Sequence, residues 1–267
     1  MSATGGRGTT PGSGTPDAPA RAGLEELLLT LADDEFVLGF WDSEWTGIAP
    51  QLEEDVAMSS LATDELGHAR AFYELLGTLT GRDPDAIAYD RPPEDFRHAR
   101  ILDHPRTDWA FSVARRWLYD TADAVRLEAF AESSCEPLAR LVVKVRREER
   151  YHLMHADAWL RRLAGADGEP RRRLTDALEA LRGDATSVFA PLEGERALVG
   201  DGVVAASMAE LRDTWLQRAG ATLAELRLPL PNATADIRRA RHDHSDEFRW
   251  LWGEFTSVRR LDPAATW

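Results

Sequence analysis

The chain has 267 residues, 43% of them apolar, and a formal net charge of −14. That composition suits a soluble globular protein with one large or two small cores, and it leaves no basic stripe to neutralise phosphates, which argues against nucleic acid as a partner. The single cysteine, Cys135, excludes an internal disulfide framework, a Cys-built zinc site and a four-thiolate iron–sulfur cluster, and points to a reducing, cytoplasmic setting.

Residues 1–20 consist of Gly, Ser, Thr, Pro and Ala apart from Met1, Arg7 and Asp17, and read as a disordered tail before a helical domain over 21–267. No basic head followed by an apolar stretch opens the chain, and no window approaches the roughly 18 apolar residues of a membrane span, so neither a secretory signal nor a membrane segment is expected. From Arg21 onward the period is helical. Over 23–46, Leu24, Leu27, Leu28, Leu31, Glu35, Leu38 and Trp41 recur at steps of three or four. Gly47-Ile48-Ala49-Pro50 breaks that helix, and 51–80 resumes it with Leu52, Val56, Leu61, Glu65, His68, Phe72 and Leu75, which predicts a helical hairpin. Four prolines between 82 and 106 predict a long crossover. Helices are then expected over about 107–133 and 137–165, completing a bundle core over 23–165. A C-terminal extension of further helices is expected over about 169–190, 203–227 and 233–258. Two helical hairpins joined by one long crossover is the plan of an all-α, ferritin-like four-helix bundle, here with additional C-terminal helices.

Those hairpins carry a repeat. Asp64-Glu65-Leu66-Gly67-His68 and Glu148-Glu149-Arg150-Tyr151-His152 are each an acid followed by Glu-x-x-His, a spacing that puts Glu and His on one helix face within reach of a shared metal. Glu35 precedes Glu65 by 30 positions and Asp120 precedes Glu149 by 29, so antiparallel pairing brings each carboxylate level with its motif. A single Glu, Asp or His on a helix is usually solvated or a satisfied core group. Six in register are different, because buried carboxylates at one level of four helices need compensating charge. Two divalent ions match four carboxylates, and two neutral imidazoles complete a donor set suited to iron, with manganese as the alternative. The expected ligands are therefore Glu35, Glu65, His68, Asp120, Glu149 and His152. Asp64 and Glu148 are the expected acceptors for the imidazole N–H groups. Trp41 and Trp117 read as core.

Asp64 to Ala69, the preceding Ser43-Glu44-Trp45-Thr46-Gly47-Ile48-Ala49-Pro50, and Glu149 to His152 resemble the phenylacetyl-CoA epoxidase family, ferritin-like subunits of a bacterial multicomponent mono-oxygenase. The Leu-Ala-Asp-Asp run at 31–34, Tyr151-His152-Leu153, the C-terminal helix from His244 and Trp267 make the chain similar to the C-type of the two ferritin-like subunits, over roughly residues 24–267. The resemblance implies that the A-type subunit holds the di-iron centre and epoxidises phenylacetyl-CoA, that the C-type pairs with it, and that a flavin and iron–sulfur reductase supplies electrons. Many C-type subunits lack several metal ligands, whereas all six matching positions are filled here, which leaves catalysis by this chain open. The chain encodes no nicotinamide or flavin fold, so an oxygenase reading requires an external donor.

Three function classes follow: a structural partner in the epoxidase complex, a di-iron oxygenase acting on another aromatic or acyl-CoA substrate, and a ferritin-like iron oxidase. The long C-terminal extension argues against the third. The expected partner surface is the apolar, Trp-rich helix with Trp250, Leu251, Trp252 and Phe255. Only one lysine stands among 32 basic residues. An arginine bias this strong reflects coding composition, so the runs Arg146-Arg147-Arg150, Arg171-Arg172-Arg173 and Arg238-Arg239-Arg241 read as solvated faces before they read as contacts for CoA phosphates or an acidic reductase.

Overall fold

The computed structural model describes residues 18–262. Most of the expected N-terminal tail, and Trp267, lie outside the described residues. Within that tail Ala18, Pro19 and Ala20 already belong to the first helix, α1 (Ala18–Ser43), because Ala20 packs into the core with Leu24 and Leu27 behind it.

Helix α2 (Leu52–Thr80) opens with Glu53, Glu54 and Asp55 beside its positive N-terminal end and stops at Gly81, whose φ of 76° closes the last turn onto the Gly77 carbonyl. The crossover holds a short helix, α3 (Pro84–Tyr89), and 3₁₀ turns at Pro93–Asp95 and Arg100–Asp103. Helix α4 (Trp109–Phe130) begins at Asp108, whose carboxylate caps the Phe111 N–H at 2.9 Å, and α5 (Glu136–Gly165) follows. Helices α1 and α2 pack as one pair and α4 and α5 as the other, and the pairs meet where α2 touches α5. With no strand among the described residues, the architecture is the all-α, ferritin-like bundle.

The extension is less helical than its composition suggests. Helix α6 (Glu169–Leu181) ends before a 3₁₀ turn at Ala185–Phe189, α7 (Glu195–Gly200) is short, α8 (Met208–Glu225) starts at a Ser207/Glu210 capping box, and α9 (Asp246–Leu261) starts thirteen residues later than the periodicity implied. Tertiary contacts decide this: Arg241 turns inward to Asp34, at 2.9 and 3.0 Å, and to the Val188 carbonyl, and the Arg100 N–H binds the Ala240 carbonyl, so 233–245 follows the crossover as an irregular strap.

These elements cover the backs of two bundle helices. Thr30–Gly39 on α1 and Ser112–Asp120 on α4 are buried at every position, whereas α2 and α5 keep an exposed face. On α1 three consecutive acids therefore point three ways. Asp33 receives Arg91 and the Tyr73 hydroxyl, Asp34 receives Arg126 and Arg241, and Glu35 faces the bundle interior. Buried carboxylates are tolerated here because each meets a guanidinium, a hydroxyl or another polar partner. Trp41 and Trp117 are core residues, their indole N–H groups bonded to the Leu102 carbonyl at 2.8 Å and to Asp157 at 3.2 Å.

Candidate metal centre

Gly39, one turn after Glu35, lets α1 and α2 approach closely: a Cβ there would lie 3.0 Å from Leu66 Cγ and 3.1 Å from Glu65 Cβ. That approach brings Glu35 against Glu65 and His68. From the other hairpin α5 adds Glu149 and His152, and all five side chains are buried. Glu35, Glu65, His68 and Glu149 each offer one ligand atom, and these atoms lie within 4.8 Å of one another. His68 Nδ1 is 3.4 Å from Glu35 Oε2, 3.8 Å from Glu65 Oε2 and 3.1 Å from Glu149 Oε1.

None of these four atoms has a hydrogen-bond partner among the described residues. Buried polar atoms are rarely left so, and four converging on one point is the pattern of a ligand set. Donors bound at about 2.0–2.2 Å around a transition ion stand roughly 3–3.5 Å apart, so the residues fit one divalent ion here.

The second half of the expected centre is built differently. His152 Nδ1 is 3.1 Å from both Glu65 Oε1 and Glu149 Oε1. Asp120 meets the cluster through Arg116, one turn earlier on α4, whose Nε is 3.4 Å from Asp120 Oδ2. The same guanidinium donates through Nη2 to Glu65 Oε1 at 2.6 Å and through Nη1 to Asp42 on α1. Five of the six expected ligands thus touch directly, and the sixth is joined to them by a buried cation. The Tyr119 hydroxyl donates to Glu35 Oε1 at 2.9 Å and fixes that carboxylate from behind.

Asp64 and Glu148 reach the imidazoles by crossing between hairpins. Glu148 on α5 takes His68 Nε2 at 2.7 Å, and Asp64 on α2 faces His152 Nε2 at 3.3 Å. Each leaves Nδ1 turned toward the cluster, and both acids are partly exposed, so the site lies just under the surface shared by α2 and α5.

Charges inside the cluster are strongly shifted. Burial, with the Glu65 charge beside it, raises the Glu35 carboxyl well above its ordinary range, and burial does the same to Asp120 against the pull of Arg116. Burial opposes ionisation of Glu65 too, but Arg116, the neighbouring Glu35 carboxyl and the His152 ring hold it well below the usual range. Burial would depress His152, yet Glu65 and Glu149 push it up to about 11, and contacts with Glu149, Glu35 and Glu65 raise His68 further. A divalent cation bound here would displace protons from imidazole and carboxyl groups.

Arg116 and Asp42 are the residues of this cluster that sequence reasoning missed. The signal existed, since Arg116 and Asp120 are one turn apart on the apolar stripe of α4, but an arginine-biased composition hid it. Of the arginine runs, Arg172 and Arg173 pair with surface acids, whereas Arg241 is buried and structural, a correction to its reading as a solvated face.

The phenylacetic acid catabolic protein family model matches residues 9–267. The chain is 28% identical over 246 residues to the C-type subunit of Escherichia coli K12 1,2-phenylacetyl-CoA epoxidase, covering 91% of this chain and 99% of that relative. Similarity to the A-type subunit of the same organism's epoxidase is 27% over 160 residues, covering 60% of this chain and 52% of that protein. With the family pattern running through the bundle and its C-terminal extension alike, the chain belongs to the phenylacetic acid catabolic protein family.

Proposed function

We propose that this chain is the C-type component of a multicomponent phenylacetyl-CoA epoxidase, pairing with a homologous catalytic ferritin-like protein and carrying a metal centre of its own. The near-complete coverage of the C-type relative supports the first half. The four converging, partnerless donor atoms of Glu35, Glu65, His68 and Glu149 carry the second. Asp120 and His152 belong to the same centre.

Bound iron or manganese would supply redox chemistry with O₂, fed by an external reductase component. The chain's own residues hold and orient. Glu35 is fixed by Tyr119, His68 by Glu148 and His152 by Asp64, while Leu38 and Phe72 nearby in sequence are wholly buried on their helices.

A second reading, an oxygenase acting on another aromatic or acyl-CoA substrate, is favoured by one feature. A cavity of about 530 Å³ between α4, α5 and α8 is lined by Trp117, Leu153, Met154 and Trp215, with Arg150 and Arg218 also in its wall. Such a space suits an apolar group with an anionic end.

Co-expression with the homologous catalytic partner tests the first reading. The expected result is a stable hetero-oligomer burying more than about 2,000 Å². A monomer unchanged by that partner overturns it.

A further inference from the structure

We infer that the bundle holds a single divalent ion, at Glu35, Glu65, His68 and Glu149, and that the Arg116 guanidinium is a built-in second cation between Glu65 and Asp120. This rests on the metal-centre reading above and replaces the expected pair of ions.

The two oxygens of Glu65 show the division. Oε2 belongs to the group of four partnerless atoms, whereas Oε1 already accepts from Arg116 Nη2 at 2.6 Å and contacts His152 Nδ1 at 3.1 Å. A carboxylate that bridges two ions offers one oxygen to each, and here the second is occupied by protein. Asp120 has no hydrogen bond to either oxygen among the described residues, and its nearest cation is Arg116 Nε at 3.4 Å. Glu65 Oε1 and Asp120 therefore face the same guanidinium.

Arg116 is not free to leave easily. Its side chain is 3% exposed, and Asp42 holds Nη1 from α1. Asp42 in turn lies 3.7 Å from Arg115 Nη2, and Arg115 Nη1 is fixed on the His104 carbonyl. Arginine cannot discharge by losing a proton in a protein, so a second divalent ion would sit against a permanent positive charge. The guanidinium is hydrogen-bonded to Glu65 and stands 3.4 Å from Asp120, which gives Asp120 a counter-charge other than a second ion. Among the described residues, the atoms of the four-atom side lie against one another and the His152 ring, with no guanidinium among their partners, so that side remains open to an ion. An ion neighboured by guanidinium has no second metal with which to exchange electrons, which separates this centre from that of a di-iron oxygenase despite its full set of carboxylates and imidazoles.

The test loads the purified full-length chain anaerobically with Mn(II) and measures bound metal per chain together with the electron paramagnetic resonance spectrum. One ion and an uncoupled signal are expected. Arg116→Gln, which removes the charge, is expected to double the metal content and give a spin-coupled signal, while Arg116→Lys should stay at one. Two coupled ions in the unaltered chain overturn the inference and leave the metal-centre reading standing, whereas no stoichiometric metal overturns that reading and the inference with it. Arg116→Gln folded but still at one ion removes the role given to the guanidinium. The unaltered chain decides the stoichiometry even where that variant does not fold.

Discussion

Glu148 Oε2 lies 2.7 Å from His68 Nε2, an acid of α5 on an imidazole of α2 carried 80 residues earlier. Asp64 faces His152 in the reverse direction at 3.3 Å. Each motif therefore supplies the outer partner of the other's histidine, and the two hairpins must dock before either imidazole is oriented.

Replacing Glu148 by Ala should weaken metal binding by about 10- to 100-fold while leaving helix content unchanged, because the carboxylate fixes the ring and raises its basicity. Asp64→Ala should cost less, given its longer contact. Competition with a graded chelator measures both, and equal affinity in the two variants and the parent would contradict the assignment.

Gly39→Ala should disturb the centre without touching a ligand. The added Cβ meets Leu66 Cγ at 3.0 Å and Glu65 Cβ at 3.1 Å, so the side chains of α2 must give by a few tenths of an ångström at ligand level. A loss of about 1–3 kcal/mol is expected, with weakened metal uptake. Gly67→Ala faces open space and should be neutral or slightly stabilising, since Ala favours helix. Thermal denaturation of the metal-free chains separates the two.

Acidification should loosen the crossover from the C-terminal strap. Asp103 accepts from His98 at 2.5 Å, from His244 at 3.3 Å and from the Ser245 N–H at 2.7 Å, and the two rings stack 4.2 Å apart. Burial opposes the Asp103 charge, but both histidines hold its carboxyl well below the usual range, so its stabilisation is complete above the ordinary carboxylate pKa and is lost below it. Burial, and then the His244 charge against the opposing pull of Asp103 and Asp33, lowers His98 below 6.5. At this site the unfolded chain therefore takes up a proton first, and the contribution of His98 to stability begins to fall as pH drops below about 6.5. The melting temperature of the parent relative to that of His98→Asn, measured from about pH 7.5 down to pH 5, should decline; the raised His68 and His152 act with the opposite sign but alike in both chains. A difference between the two chains that stays constant over that range contradicts the sign.

Glu65→Ala combined with Glu149→Ala should abolish metal binding while most helix-packing surface remains. If this chain supports a catalytic partner, epoxidation by the assembled complex should survive. Product formation is measured after assembly and the partner's iron content have been verified. Lost turnover in such a complex would make this chain the oxygenase.

The helical class, the hairpin plan and the common level of Glu35, Glu65, His68, Asp120, Glu149 and His152 were legible in the sequence because they rest on the 3.6-residue period and on i, i+3 spacing, which are local properties. Local patterning also extended the C-terminal helices too far. The region before α9 has helix-forming composition, but Arg241 is drawn to Asp34, 207 positions away, and that bond decides its path. Which cation meets Asp120 was likewise beyond the sequence. A carboxylate on a buried stripe fits a metal or a guanidinium equally well, and only the packing of α4 against α1 and α2 brings Arg116 between Glu65, Asp42 and Asp120.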